Sequence, residues 1–363
     1  MNTFSFVGKI VSIKDTEKFK GYEEKTFPSG WMTQSLRWNV VAGDDRHLVA
    51  INAGRWIDDS KNSVIYTMSR ATEGKKSEKI QIPWSKRNDQ ATIDGVAGNR
   101  VFTCDTDTYA NREALKQGGD EKAYEDSVKK RKHFLASTDF CDWVKRVVYS
   151  EKAKDMVFRF NGNIAYRYNP KDGKYYSSYE VNKIYRVDEN TEPSSNLNIE
   201  FFYADGFMDD EYIEESGKAT MRGFTPFYDS ATKKNWFAPI ELVFRGAKNK
   251  AEVTTECMSA FDDNNEICRA VLSCKAIDGA QRVDIKVTDL DERTQKAIAA
   301  GIMDEKTAIR NAGGQAYGDR IQEIRFGEMV KMGETTVYTL DDCTATPHKE
   351  EESVDIFSED DDI

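Results

Sequence analysis

Residues 3–104 alternate between short apolar runs and polar turns. Phe4 to Ile13 is apolar and β-rich, with Gly8 as a bulge or bend inside it. Lys14 to Gly30 is polar and punctuated by Gly21, Pro28 and Gly30. Trp31 to Ala42 alternates as a half-buried strand does. Gly43-Asp44-Asp45 makes a turn, and Arg46 to Ala53 supplies the hairpin partner. Ser63–Ser69, Glu78–Trp84 and Asn99–Cys104 read as further short strands. Short strands at this spacing predict a barrel or sandwich.

The pattern changes at residue 106. Tyr109–Lys116 and Glu121–Leu135 are rich in Ala, Glu, Lys and Arg and are broken by Gly118-Gly119, and Thr138–Ser150 continues the helical character. From residue 154 strands return. Met156–Asn161, Asn163–Tyr168, Lys174–Tyr179 and Val181–Val187 read as a meander, with Asn161-Gly162 and Asp172-Gly173 as its hairpin turns. Leu197–Tyr203, Lys218–Phe227 and Trp236–Phe244 follow, then three strands within 251–288, a helix over Leu290–Asn311 and closing strands at Asp319–Phe326 and Val337–Leu340. No segment recurs at a fixed period.

The fold class expected is mainly β with helical insertions (α+β). An OB-like barrel occupies residues 1–105, since a five-stranded barrel of that type needs about 100 residues. Residues 106–153 form a helical insert or linker. Residues 154–345 form a second β-rich domain with further OB-like character and a helix near 290–311, and residues 346–363 form a tail.

Charge sharpens this division. The 363 residues carry a formal charge of −11, with 52 basic and 63 acidic side chains. Glu350–Ile363 alone holds eight acidic side chains and no basic one, leaving 52 basic against 55 acidic in the remainder. Such a block repels itself and has too little apolar surface to fold, which predicts a disordered acidic tail. Within it Asp355, Phe357, Asp360, Asp361, Asp362 and Ile363 combine acid with apolar anchors, a pattern suited to docking on a basic, apolar-lined pocket of a partner. No stretch approaches the ~20 apolar residues that span a bilayer, and the first residues lack the basic-then-apolar form of a signal peptide. The six cysteines are scattered without a Cys-x-x-Cys pair, as in reduced cytoplasmic proteins, and three distant histidines offer no zinc site; no cofactor is expected.

Two regions carry binding chemistry. Residues 156–187 hold eight aromatics with six basic and two acidic side chains, a local +4 in an acidic chain. Alternation sets Arg159 opposite Phe158 and Phe160, and Arg167 opposite Tyr166 and Tyr168. Lys174, Tyr176 and Lys183 extend the set. A Tyr-rich sheet with charged solvent faces accounts for the same pattern. Residues 1–100 hold 16 basic and 12 acidic side chains and four of the six tryptophans. Trp38, in an alternating strand, is the core candidate. Lys18, Lys20, Trp31, Arg37, Arg55, Trp56, Trp84, Lys86 and Arg87 are the binding candidates, with Trp236 in a third set. Basic grooves that track phosphates, combined with rings that stack on bases, bind single-stranded nucleic acid. Catalytic signals are poor. Asp205, Asp209, Asp210 and Glu211 read as a solvated acidic loop, and Asp262–Glu266 only loosely resembles a calcium loop.

An OB-like start, aromatic-basic strands and the tip Asp360-Asp361-Asp362-Ile363 together resemble single-stranded DNA-binding proteins, above all the phage-encoded kind. The resemblance implies a non-enzymatic, sequence-independent binder that protects single-stranded DNA, with RNA also open, in replication, recombination and repair in the host cytoplasm. It also implies a tail that recruits replication or recombination proteins. The tail departs from the family pattern in lacking a terminal Pro-Phe, with Phe357 six residues before the end. Two other classes stay open: a structural or assembly β-protein of a virus, and a metal-dependent nuclease.

Overall fold

The fold follows from how the first strand divides its two edges. In the computed structural model the residues described are 2–17, 19–204, 206–211, 213–245, 254–255, 258, 261, 267–284, 287, 290–304, 307–308 and 315–347. Strand β1 (Thr3–Ser12) leads through β2 (Tyr22–Thr26) into the long hairpin of β3 (Trp31–Ala42) and β4 (Asp45–Trp56). An insert follows, with β5 (Val64–Met68), β6 (Lys79–Pro83), α1 (Gln90–Asp94), β7 (Phe102–Asp105), α2 (Tyr109–Gln117), α3 (Glu121–Val128), β8 (Arg131–Phe134) and α4 (Ser137–Val148). The hairpin of β9 (Val157–Asn169) and β10 (Lys174–Val187) comes next.

Five of these strands close into a ring. Antiparallel pairs join β1 to β3, β3 to β4, β10 to β9 and β9 back to β1, while β4 and β10 run parallel at Val49↔Tyr179 and Ala50↔Glu180. Numbered along the chain, the ring runs one-two-three-five-four-one. The inward positions of the alternating strands, among them Phe6, Leu36, Trp38, Phe158, Phe160 and Ile184, are wholly buried. Helix α4 presents Phe140, Cys141, Val144 and Val148 along one face and seals this core, as spacing of three and four residues allows.

A second ring repeats the order. It uses β11 (Ser194–Tyr203), then β12 (Met208–Asp209) and α5 (Ile213–Ser216) as an excursion, β13 (Lys218–Asp229), β14 (Lys234–Arg245), β15 (Cys268–Asp284), α6 (Glu292–Ala299) and β16 (Gln315–Thr335), followed by α7 (Leu340–Thr344). Antiparallel pairs join β11 to β13, β13 to β14, β16 to β15 and β15 to β11, and β14 runs parallel to β16. Met258 and Phe261, between β14 and β15, reach the core from the point in the chain order that α4 occupies in the first ring. The two rings meet through their first strands, paired antiparallel from Thr3↔Asn198 to Val7↔Ser194.

Several expectations are corrected. The ring does not close within residues 1–105; its last two strands are Val157–Val187, so the 154–345 region divides between two rings. Residues 106–153 hold α2, α3 and α4, but Arg131–Phe134, expected as helix, is strand β8 paired with β7, and β7 pairs with β10 and draws the insert onto the main sheet. The helix expected near 290–311 is Glu292–Ala299. Asn161-Gly162 is no turn but the middle of β9, whereas Asp172-Gly173 does turn, with Gly173 at φ 67°. A Cβ on Gly162 would lie 2.0 Å from the Glu180 carbonyl oxygen, so the pattern that reads as a turn is a demand for close strand approach. Gly8 lies in β1 itself, where a Cβ would meet the Val41 carbonyl oxygen at 2.2 Å. Residues 348–363, with the acidic tail, lie outside the described residues, as do Lys18, Asp205 and residues 262–266.

The seam between rings is polar as well as apolar. His47 Nε2 lies 2.7 Å from Ser195 Oγ, and its ring stacks on Phe6 at 4.3 Å. The Asn2 amide donates to Thr225 Oγ1 at 2.7 Å, and its oxygen accepts from the Glu200 N–H at 2.9 Å. The Asp278 N–H donates to Asp45 Oδ1 at 3.1 Å.

Gly162→Ala is expected to lose at least about 2 kcal/mol in urea unfolding, because the strand pair must separate to admit the methyl. Gly98→Ala, with open space around it, stays within about 0.5 kcal/mol. Acid acts on the seam instead. Burial pushes His47 down to about 4 from its ordinary 6.5, so the unfolded chain takes up a proton in this window that the folded chain refuses. The stability His47 confers is full above about 6.5 and falls as pH drops toward about 4, by about 3 kcal/mol. Between neutral pH and pH 4, His47→Gln is expected to lose about that much less stability than the parent chain. Parallel losses in the two proteins across a pH series of urea curves would refute this role.

Candidate nucleic-acid interface

The outward positions of β3 and β4 carry the strongest concentration of accessible rings and cations. Trp31 and Trp56 are register partners at the open end of this hairpin, their rings edge-to-face at 5.2 Å. Trp31 lies across Gly54, where any Cβ would clash with the indole. The Asn62 side chain accepts from the Trp56 N–H at 3.0 Å and donates to its carbonyl at 2.7 Å, which fixes the backbone beneath the second ring. The Lys61 ammonium sits 5.3 Å above the Trp56 ring, and Arg55 pairs with Asp59 at 3.3 Å.

The polar loop before β3 continues this surface. Arg37 stacks over Phe19 at 5.5 Å and donates to the Lys20 carbonyl at 3.3 Å, while Lys25 sits 4.8 Å from the Phe27 ring. Cations held over aromatic faces leave both groups at the surface and available to an anionic, aromatic ligand. The structure therefore brings Lys20, Trp31, Arg37 and Trp56 to one side of the first ring, while Arg55, cross-strand partner of the buried Met32, takes the opposite face of β4.

The remaining candidates are placed elsewhere. Trp84 and Arg87 belong to the insert; Arg87 stacks on the Trp84 ring at 4.4 Å and binds Asp139 of α4 at 2.9 Å, so the two pin the insert to the barrel helix. Lys86 between them is exposed. At the far end of the β9–β10 hairpin, Tyr168 and Tyr175 pack at 5.0 Å, and Tyr175 and Tyr166 lean on Phe227 of β13 at 6.0 and 6.5 Å. The Phe227 contact makes Tyr166 part of the packing between the rings, and burial there pushes its phenol up. Tyr176 is half exposed and donates to Asp172, with Arg167 as its cross-strand partner and Lys174 exposed beside it. Trp236 donates to Thr232 Oγ1 at 2.8 Å in the β13–β14 turn. Arg159 and Lys183 project from the outside of β9 and β10.

The corresponding face of the second ring differs in kind. Tyr338 meets Phe237 at 5.1 Å and Phe202 at 5.9 Å, and Cys343 of α7 is buried with them, so the chain's own C-terminal helix covers the rings there. Asp209 accepts from the Glu211 N–H at 3.4 Å in an exposed loop.

Sequence reasoning missed the asparagines. Asn52, Asn161, Asn163, Asn182, Asn196 and Asn198 stand on β4, β9, β10 and β11 and line two adjoining hollows with Arg100. The signal was present as Asn-x-Asn at 161–163 and 196–198, polar residues at period two within apolar strands.

No family model matches the chain, and no curated protein matches it in sequence. Among solved structures it is similar to the wild-type single-stranded DNA binding protein from Thermus aquaticus at 8% identity, over 94% of this chain and 97% of that one, with a TM-score of 0.35. A deletion mutant of the same protein gives 9% identity over 93% and 96%, again with a TM-score of 0.35.

Proposed function

We propose that this chain is a sequence-independent single-stranded DNA-binding protein, built on two OB-type barrels in tandem, and that it is not an enzyme. The order one-two-three-five-four, with strand three parallel to strand five and a helix before strand four, is the arrangement of an OB barrel, whose second and third strands bind oligonucleotides. The observation that carries the reading is the Trp31–Trp56 pair, with Arg37 and Lys61 on that second-and-third-strand face. Base stacking on such rings contributes about 1–3 kcal/mol per base and tolerates any sequence, while the cations neutralise phosphates. RNA shares both features, so it remains a ligand to be tested beside DNA.

Protection of single strands in replication, recombination and repair, a phage source and a cytoplasmic setting belong to the same reading. In it the acidic tail competes with DNA for the basic face when DNA is absent and engages replication or recombination partners when displaced.

Titration with oligo-dT is expected to quench tryptophan fluorescence. Trp31→Ala combined with Trp56→Ala should remove most of the quench and weaken binding by roughly tenfold or more, with Trp38, Trp84, Trp143 and Trp236 left as the residual signal. Full affinity in the double variant would overturn the assignment of the face. Deleting residues 350–363 is expected to raise affinity at low salt, with the advantage shrinking as salt screens the tail. Identical affinities of full-length and truncated chains across a salt series would refute the competition.

A further inference from the structure

The outside of the first ring carries a groove that begins where the Trp31–Trp56 face ends. Asn52 on β4 accepts from the Ser35 hydroxyl on β3 at 2.8 Å, a few positions along the strands from Trp56 and Trp31. From Asn52 a hollow of about 310 Å³ runs over Glu180 and Asn182 on β10 to Asn163 on β9. A second hollow of about 640 Å³ shares Asn99, Arg100, Asn163 and Asn182 with the first and continues across β9 and β1 to Ser194, Asn196 and Asn198 on β11. The floor therefore passes from the first ring onto the first strand of the second.

The insert supplies the outer wall. Residues 98–100 form a short turn whose neighbour Val101 is buried in a small core with Ile82, Ile93, Val96 and Leu135. Asn99 and Arg100 are thereby fixed over the sheet. Tyr66 of β5 stands at the mouth of the first hollow with 75% of its surface exposed.

The chemistry of the groove is that of an anion track. Arg100, Arg159 and Lys183 form no ion pair among the described residues. Some arginines elsewhere are neutralised, Arg87 by Asp139, Arg112 and Arg131 by Asp105 and Arg269 by Glu200, whereas others such as Arg46 and Arg167 are also without an ion pair among the described residues. Among the described residues lining the groove the one carboxylate is Glu180, which accepts from the Asn52 amide at 3.0 Å. Asn161 lines the groove floor, and its Oδ1 is buried with no hydrogen-bond partner among the described residues. Amide side chains donate to phosphate and sugar oxygens and accept from base amino groups, and so serve a nucleic-acid backbone of any sequence.

We infer that a bound single strand continues past the Trp31–Trp56 face into this groove, its phosphates held by Arg100, Arg159 and Lys183, and so reaches the second ring along β1 and β11. The inference rests on the single-strand reading above and adds the path of the strand. It divides binding into a short stacking segment and a longer polar segment, each with its own signature.

The test compares oligo-dT of about six nucleotides, within the span of one barrel, with oligo-dT of about thirty. The triple variant Arg100→Ala, Arg159→Ala, Lys183→Ala is titrated with both by fluorescence anisotropy over a salt series. Affinity for the short oligomer is expected to stay within about twofold of the parent chain, since stacking supplies most of it. For the long oligomer, affinity falls at least about tenfold. The slope of log K against log salt becomes shallower by about two, since each neutralised phosphate contributes roughly 0.7 to it. Arg100→Lys with Arg159→Lys, in place of the alanines, recovers the slope, which a mere change in folding would not do. A triple variant that matches the parent on the long oligomer, in affinity and slope, overturns the groove while leaving the stacking face intact. A parent chain that binds neither oligomer overturns the functional reading, and the groove with it.

Discussion

Everything in this molecule depends on the way β1 is shared. Its first half is paired on both edges, to β9 within its own ring and to β11 of the next, and only its second half turns to β3. One ten-residue strand thus closes one barrel and founds the junction with another. The side chains that make this possible alternate. Phe4 and Phe6 enter the core, where each contributes on the order of 1.5–3 kcal/mol by burial, while Ser5 faces the outer surface beside Asn196. A slip of one residue would put the phenylalanines in water and the serine among aromatics, in both rings at once. The polar seam enforces the register, since the His47–Ser195 and Asn2–Thr225 contacts exist only at this alignment.

The insert between β4 and β9 does two jobs through two sets of charges. Its interior is neutralised: Asp105 binds Arg112 through two hydrogen bonds of 2.6 and 2.7 Å and Arg131 at 2.8 Å, and Asp107 takes Ser127 and Lys130. Burial would raise these carboxyls, but the cations and hydroxyl donors outweigh it and hold both below their ordinary range. They lock α2 and α3 onto β7 and β8. Arg87, bonded to Asp139, anchors the other side. At its edge over the sheet the insert leaves a cation, Arg100, without a counter-charge among the described residues. Rigidity inside and uncompensated charge at the rim let an insertion shape a surface without loosening the barrel.

Local features were legible in the sequence, and closure was not. The β3–β4 hairpin, the core position of Trp38 and the turn at Asp172-Gly173 each follow from patterns a few residues long. The ring closes through parallel pairing of Val49 with Tyr179, and no local pattern announces a partner at such a separation. The repeat was hidden for a related reason. The two rings share strand order, but the connection from third to fourth strand spans 57–156 in one and 246–267 in the other, which erases any fixed period. At the candidate site the Trp31, Trp56 and Arg37 cluster was visible as aromatics beside cations, although the sequence also suggested Arg55, which alternation sends to the other face. Trp84 and Arg87 have the same composition, but their contacts turn inward. Tyr166 reads like Tyr168 in sequence, yet the packing of Phe227 against it separates their roles.

The ladder between β1 and β11 is also the contact that two separate barrels would make if they met through their first strands. Here residues 188–193 tie the partners together, a tether of six residues between Val187 and Ser194. Tethering over so short a span turns association into an intramolecular step with an effective concentration on the millimolar scale or higher. A pair of barrels that would otherwise fall apart on dilution is thus delivered as one body, with the same geometry in a scarce protein as in an abundant one.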